Sequence, residues 1–177
     1  SASESRCVVT LPELQKPDRS RAPPLKQIAV YQLVTGIQRH RTAISRPEMS
    51  RPVRLALEAG VLSTNATFFD YGCGRGDDIR YLQEQGVDAE GWDPGHRPDV
   101  SLRDSDVVNL GYVINVVEEP SERVDAIKRA WDLSGKALVV SARLTMDTKV
   151  DTKPTMGDGV VTTRATFQKY YTQSELR

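Results

Sequence analysis

The sequence predicts an α/β fold, a mostly parallel sheet with helices on both faces. Three observations predict it. Residues 67–71, 106–113 and 137–142 are apolar without polar alternation, as strands buried on both faces must be. Amphipathic segments ended by glycine lie between such runs, giving a strand–helix alternation. A glycine-rich turn at 72–76 joins the first strand directly to a helix.

The elements follow in order. Residues 1–25 are rich in Pro, Ser and Arg and read as an arm. Residues 25–37 are more apolar and suit a short helix or strand. We therefore divide the chain into an N-terminal arm, 1–37, and a core, 38–177. Residues 38–46 form a compact basic stretch. Ser50 is placed to cap a helix, Pro52 suits its first turn, Val53, Ala56 and Leu57 share a face, and Gly60 ends it. The strand 67–71 leads through the glycine turn into a helix over 77–85, with Ile79 and Leu82 inward and Gly86 as its stop. A second strand, 88–93, is broken by Pro94-Gly95. The stretch from there to Asp106 is short for a further helix and strand, so the middle of the sheet is expected to be abbreviated. After the strand 106–113, Ser121 opens a helix with Val124, Ile127 and Trp131 on its inner face and Gly135 at its end. Residues 137–142 form another strand. Residues 145–166 are polar, with Gly157-Asp158-Gly159 as a turn, and read as a loop or hairpin. Thr172 and Glu175 have capping-box spacing, so 167–176 reads as the start of a last helix, with the domain incomplete beyond it.

Composition narrows the classes. With 177 residues, 38% hydrophobic and 27% charged, the chain suits one globular domain with a core. No apolar run is long enough to span a bilayer, and no secretory core is present. Cys7 and Cys73 make no disulfide framework, and no Cys/His cluster suggests a metal. These features predict a cytoplasmic protein with no membrane or metal partner. Charge is uneven: residues 1–54 carry ten Lys/Arg against four Asp/Glu, the rest fourteen against twenty. A basic leader before an acidic domain suits an anionic partner such as nucleic acid, or is simply a solvated arm.

The first strand ends in the pattern Asp70-x-Gly72-x-Gly74-x-Gly76. In parallel sheets ligands bind beyond the carboxyl ends of the strands, and glycines let the backbone approach them. Asp93 closes the second strand, where a carboxylate accepts hydrogen bonds from ribose hydroxyls. A dinucleotide site wants Gly-x-Gly-x-x-Gly. Here the third glycine comes one residue early, and Asp77 and Asp78 fill the first helical turn. Two carboxylates there repel a pyrophosphate. They suit the cationic sulfonium and ammonium of S-adenosylmethionine (SAM), or act only as helix-dipole partners. The alternative is a structural glycine turn.

The block from Phe68 to Asp93 resembles the first two motifs of class I SAM-dependent methyltransferases. His40-Arg41-Thr42-Ala43-Ile44-Ser45-Arg46, Phe69-Asp70-Tyr71-Gly72-Cys73-Gly74-Arg75-Gly76-Asp77-Asp78, Gly91-Trp92-Asp93-Pro94 and Val108-Asn109-Leu110-Gly111-Tyr112-Val113-Ile114-Asn115-Val116 resemble, more narrowly, the methyltransferases associated with DNA phosphorothioation. The resemblance covers roughly residues 38–177. It implies a Rossmann-like methyltransferase fold with SAM as cofactor, and more loosely DNA and other DNA-modification proteins as partners. It implies that Asp70, Gly72, Cys73 and Gly74 surround the methionine part of SAM and that Asp93 holds its ribose. Trp92 and Pro94 would lie near the adenine, with Asp104 or Ser105 at its edge, and Asn109 and Leu110 would complete the cofactor set.

Methyl transfer needs an in-line approach and, for some nucleophiles, a base. Amino methyltransferases of nucleic acids place Asp/Asn-Pro-Pro-Tyr/Phe at the end of the fourth strand. Asn109-Leu110-Gly111-Tyr112 matches the polar and aromatic ends of that pattern and lacks both prolines. Asn109 and Tyr112 are thus candidate catalytic residues, or sheet-end residues packing on SAM. His40 is a candidate base, Arg41 and Arg46 are candidate substrate ligands, and Thr42 or Ser45 are candidate caps. Three functions remain open: a methyltransferase acting on DNA or another nucleic acid, a SAM-binding module without catalysis in a modification complex, and a small-molecule methyltransferase.

Overall fold

The computed structural model describes residues 8–10, 36–145 and 155–176. The arm and the short apolar segment expected before residue 36 lie outside the described residues, except for 8–10. Strands β1 (Val8–Thr10), β2 (Thr67–Tyr71), β3 (Asp88–Trp92), β4 (Ser105–Gly111) and β5 (Ser134–Ser141) form one sheet in the order β1-β5-β4-β2-β3. Strands β2 to β5 are parallel, and β1 runs antiparallel along β5. Helices α1 (Arg51–Glu58), α2 (Asp77–Glu84) and α3 (Pro120–Leu133) flank the sheet. The architecture is α/β, a four-stranded parallel sheet between helices, compatible with a Rossmann-like fold.

Adjacent residues on each strand enter different cores, which explains why the strands do not alternate in polarity. Phe68, Val107 and Val139 pack with Val53 and Ala56 of α1 and Ile79 and Leu82 of α2. Phe69, Val108 and Leu138 pack on the opposite face with Ala130 of α3, Leu144 and Tyr171. Both phenylalanines are fully buried. Burying a side chain of that size contributes roughly 1.5–3 kcal/mol.

The strand order reverses between β2 and β4. After β3 forms on one side of β2, the chain crosses to the other side. Asp70 of β2 lies opposite Asn109 of β4. Ligand crevices of open parallel sheets form at such a switch point.

Several sequence expectations need correction. The inner face of α3 carries Arg123 and Ala130, whereas Val124 and Ile127 are 49% and 36% exposed. Arg123 is tolerated inside because its guanidinium donates to both oxygens of Asp158 at 2.6 Å and to the carbonyls of Val117 and Glu118. Apolar spacing alone does not reveal that neutralisation. Trp131 is half-buried against the second core. Gly135 does not end α3: the Ser134 hydroxyl donates to the Trp131 carbonyl, and β5 begins at once. Ser50 sits at the N-cap of α1 without a side-chain capping bond. Strand β4 stops at Gly111, because Tyr112 turns to φ +62°.

The C-terminal region is a small antiparallel sheet, β6 (Thr155–Met156), β7 (Gly159–Val161) and β8 (Phe167–Gln168). Its turn lies at Gly157-Asp158, so the hairpin expectation holds. The helix expected over 167–176 is not formed: Phe167 and Gln168 are strand, and 173–176 are a turn. Thr172 and Glu175 still exchange both capping-box bonds, the Thr172 amide donating to the Glu175 carboxylate and the Glu175 amide to the Thr172 hydroxyl.

Asn115, 1% exposed, ties this region to the sheet. It accepts from the Arg143 amide and donates to the Lys169 carbonyl at 2.6 Å, and its own carbonyl accepts from the Lys169 amide. Asn115→Ala strands buried backbone groups, which cost about 1–3 kcal/mol each when unpaired. We expect a loss of about 2–3 kcal/mol in urea unfolding and faster proteolysis after residue 144; a change under about 0.5 kcal/mol contradicts this role.

Among the described residues no helix is long and apolar enough to cross a membrane, and no group of three or more His, Cys, Asp or Glu is placed to hold a metal.

Candidate functional site

Strand β2 delivers Asp70 to the switch point, 4% exposed. Its Oδ1 accepts from Asn109 Nδ2 at 2.8 Å. Burial, reinforced by the charge of Asp78, pushes the Asp70 carboxyl up to about 7, against the opposing bond from Asn109. Among the described residues the Asn109 Oδ1 is buried without a partner. A buried carboxyl and an unpartnered amide oxygen therefore share the floor of the crevice.

The glycine turn follows. Gly72 has φ +88°, and a Cβ there would drive into Val113 Cγ2. A Cβ at Gly74, φ +54°, would stand 3.0 Å from Ala43 Cβ. Gly72 thus admits no side chain, and at Gly74 a side chain would both strain the backbone and press on Ala43. The amides of Gly72 and Cys73 donate to the Trp92 carbonyl, and that of Gly74 donates to Asp93 Oδ2 at 3.1 Å. Burial and the charges of Asp70 and Asp93 push the Cys73 thiol up to about 12, so it is a neutral packing group.

Asp93, just past β3, is engaged within its own turn. Its Oδ1 accepts from the Gly95 and His96 amides and lies 3.1 Å from His96 Nδ1. Sequence reasoning passes over His96. The available signal is an Asp followed by Pro-Gly, an Asx-turn pattern that brings the residue three positions on back to the carboxylate.

Residues 36–50 cross the crevice as a strap. Its start is held by the Gln38 amide donating to the Ala165 carbonyl. Arg39–Thr42 form a 3-10 turn, closed by the Thr42 hydroxyl donating to the Arg39 carbonyl. Arg39 pairs with Glu118 at 2.8 Å and with Glu122 at 2.7 Å. The strap's far end is held by Asp77, which accepts from the Arg46 amide at 2.7 Å, and by Asp78, which accepts from the Ser50 amide at 2.6 Å. The two aspartates expected to face a cationic ligand thus fasten the strap. Carboxylates in a first helical turn accept backbone N–H groups readily, and these two have incoming amides to accept.

Beneath the strap lies a cavity of about 1320 Å³. It reaches from Asp70 and Asn109 past the glycine turn and Asp93 to the β7–β8 turn. Most of the expected site residues line it: His40, Arg41 and Arg46 from the strap, Asp70, Gly72, Cys73 and Gly74, then Trp92, Asp93, Asn109 and Tyr112. His40 and Arg41 are exposed, and Arg46 is half-buried with its charge felt by Asp70. Trp92 is 8% exposed and packs on Tyr71, ring centroids 5.2 Å apart, so it is chiefly a core residue. Leu110, expected among the cofactor ligands, is fully buried in the second core and does not line the cavity. Its neighbours Asn109 and Gly111 take the other face, as strand alternation requires. Ser105, expected at an adenine edge, starts β4 at the opposite end of the sheet, beside Ser134.

No protein-family model matches this chain, and no curated protein matches it.

Proposed function

We propose that this chain is a SAM-dependent methyltransferase acting on DNA or another nucleic acid, within a DNA-modification or defence setting. One observation carries the reading: Asp70 and Asp93, at the carboxyl ends of neighbouring parallel strands, border one cavity beside a glycine turn of positive φ. The residues suit a cationic donor. Asp70 and the unpartnered Asn109 Oδ1 are acceptors in a buried floor, and an ammonium brings donors and a compensating charge. Asp93 Oδ2, which accepts from the Gly74 amide, keeps a lone pair suited to ribose hydroxyls. SAM, when bound, supplies an electrophilic methyl group. The protein's part is to orient that group, keep water out under the strap, and present the acceptor from the side of Tyr112. His40 and His96 are the two imidazoles in the lining, and either could serve as a general base. A cytoplasmic location and partnership with other modification proteins belong to the same proposal, as does the methyltransferase variant of the Rossmann-like fold with an abbreviated sheet.

Calorimetry tests it. SAM should bind the full chain, and Asp93→Ala should bind it about tenfold or more weakly, with folding checked by thermal melting. No heat at millimolar SAM sinks the proposal, and unchanged affinity in the variant removes Asp93 from it.

A further inference from the structure

The cavity is divided in charge. Its floor holds Asp70 and Asp93. Its rim holds four exposed arginines: Arg41 on the strap, Arg75 in the glycine turn, Arg143 after β5 and Arg164 in the β7–β8 turn. Among the described residues none of these four has a carboxylate within salt-bridge distance, whereas Arg39, Arg54, Arg80, Arg103 and Arg123 all do. Two of the carboxylates that line the cavity are engaged elsewhere, Asp77 by the Arg46 amide and Glu122 by Arg39. Arginines on the surface as well as inside are thus paired, Arg54 and Arg80 among them, whereas the four at this rim have no carboxylate partner among the described residues. Such a rim concentrates anions at the opening.

We propose that the rim is a site for a single-stranded nucleic-acid segment, with phosphates held by Arg41 and Arg75 on one side and by Arg143 and Arg164 on the other. The inference rests on the methyltransferase reading for the direction in which the strand's base points. Four arginines from four separate chain segments suit a repeating phosphodiester better than one small anion, which one or two arginines satisfy. The strap roofs the opening, with His40 Cβ 3.0 Å from where a Cβ on Gly95 would stand. That close seating of the strap on the Asp93 turn favours a single unstacked nucleotide over a rigid duplex as the occupant. The volume of about 1320 Å³ exceeds the roughly 300–1,000 Å³ of ordinary ligand pockets, leaving room for a base beside a donor. Tyr112 supplies an aromatic ring in the lining, on backbone held at φ +62°. Bases stack on such rings irrespective of sequence.

The test is fluorescence anisotropy of a labelled twelve-nucleotide DNA strand with the full chain over a range of salt. Affinity should fall with salt by roughly 0.7 log units per log unit of salt for each phosphate contact. The pairs Arg41→Ala/Arg75→Ala and Arg143→Ala/Arg164→Ala should each weaken binding about tenfold or more and reduce that slope by about one or more. Lys128→Ala, an exposed cation on α3 away from the rim, should bind as the wild type does. Salt-independent binding, tighter binding of the matching duplex, or rim variants that bind normally would each overturn the proposal. SAM calorimetry on the same samples separates the two readings. Donor binding without strand binding removes the rim site alone, and strand binding without donor binding removes the methyltransferase reading alone.

Discussion

Asp70→Asn should raise the melting temperature at pH 8 while abolishing SAM binding. In the fold this carboxyl titrates at about 7, well above its usual value, because it is buried and faces Asp78 and Asp93; Asn109 and Arg46 offset this only in part. In the unfolded chain it titrates at about 4. The fold therefore holds the proton more tightly, and stability is lost as pH rises from about 4 through about 7. The full span is on the order of 4 kcal/mol. Asparagine keeps the acceptor that Asn109 Nδ2 uses and removes the charge, so the variant should lack this decline. The Asp77, Asp78 and Asp93 carboxylates and the His40 and His96 rings are present in both proteins, so the difference between their pH profiles isolates residue 70. The ligand effect has the opposite sign: a cation selects the ionised carboxyl, so wild-type affinity for SAM should rise between pH 6 and 8. Melts at pH 5 and pH 8 decide the first point. Parallel profiles for the two proteins would refute it. Calorimetry across the same range decides the second.

Gly72→Ala should be the most damaging single methyl in the site. Its φ of +88° costs an alanine about 1–2 kcal/mol. The added Cβ also meets Val113 Cγ2, and such overpacking adds about 1–3 kcal/mol. Both consequences fall on the turn that carries Cys73 and Gly74, so SAM affinity should drop with stability. Val113→Ala removes the obstructing methyl. In a double-mutant cycle the two substitutions should couple favourably by about 1–3 kcal/mol, leaving only the backbone strain. If Gly72→Ala costs as much in the Val113→Ala background as in the wild type, the steric argument fails.

Much of this fold is legible in the sequence. Strands β2 to β5 and helices α1 and α2 lie near their expected bounds, because their signals are local. Phe68 and Phe69 are apolar in succession, and Gly60 and Gly86 end helices at φ +69° and +83°. The turn from Asp70 to Gly76 and the strand-end Asp93 can likewise be located from spacing. The phase of helix α3 is not legible, because Val124 and Ile127 mark the obvious apolar face. The true inner face depends on Arg123 meeting Asp158, 35 residues away. The last segment reads as helix because its capping box is real, although residues 173–176 form a turn.

The sequence by itself determined the order of strands β2 to β5 and of the three helices, the glycine turn and the acidic residues at two strand ends. Each depends on a residue's own torsions or on neighbours within a few positions. Tertiary structure decided what those groups do. It turned Asp77 and Asp78 to the strap amides, 31 and 28 residues away, and paired Arg39 with Glu118 across 79. Among the described residues it also left Asn109 Oδ1 without a partner beside Asp70, and four arginines without a carboxylate around one opening. A charge is neutralised or left free by whatever the folded chain brings within a few ångströms of it, and no local pattern encodes that partner.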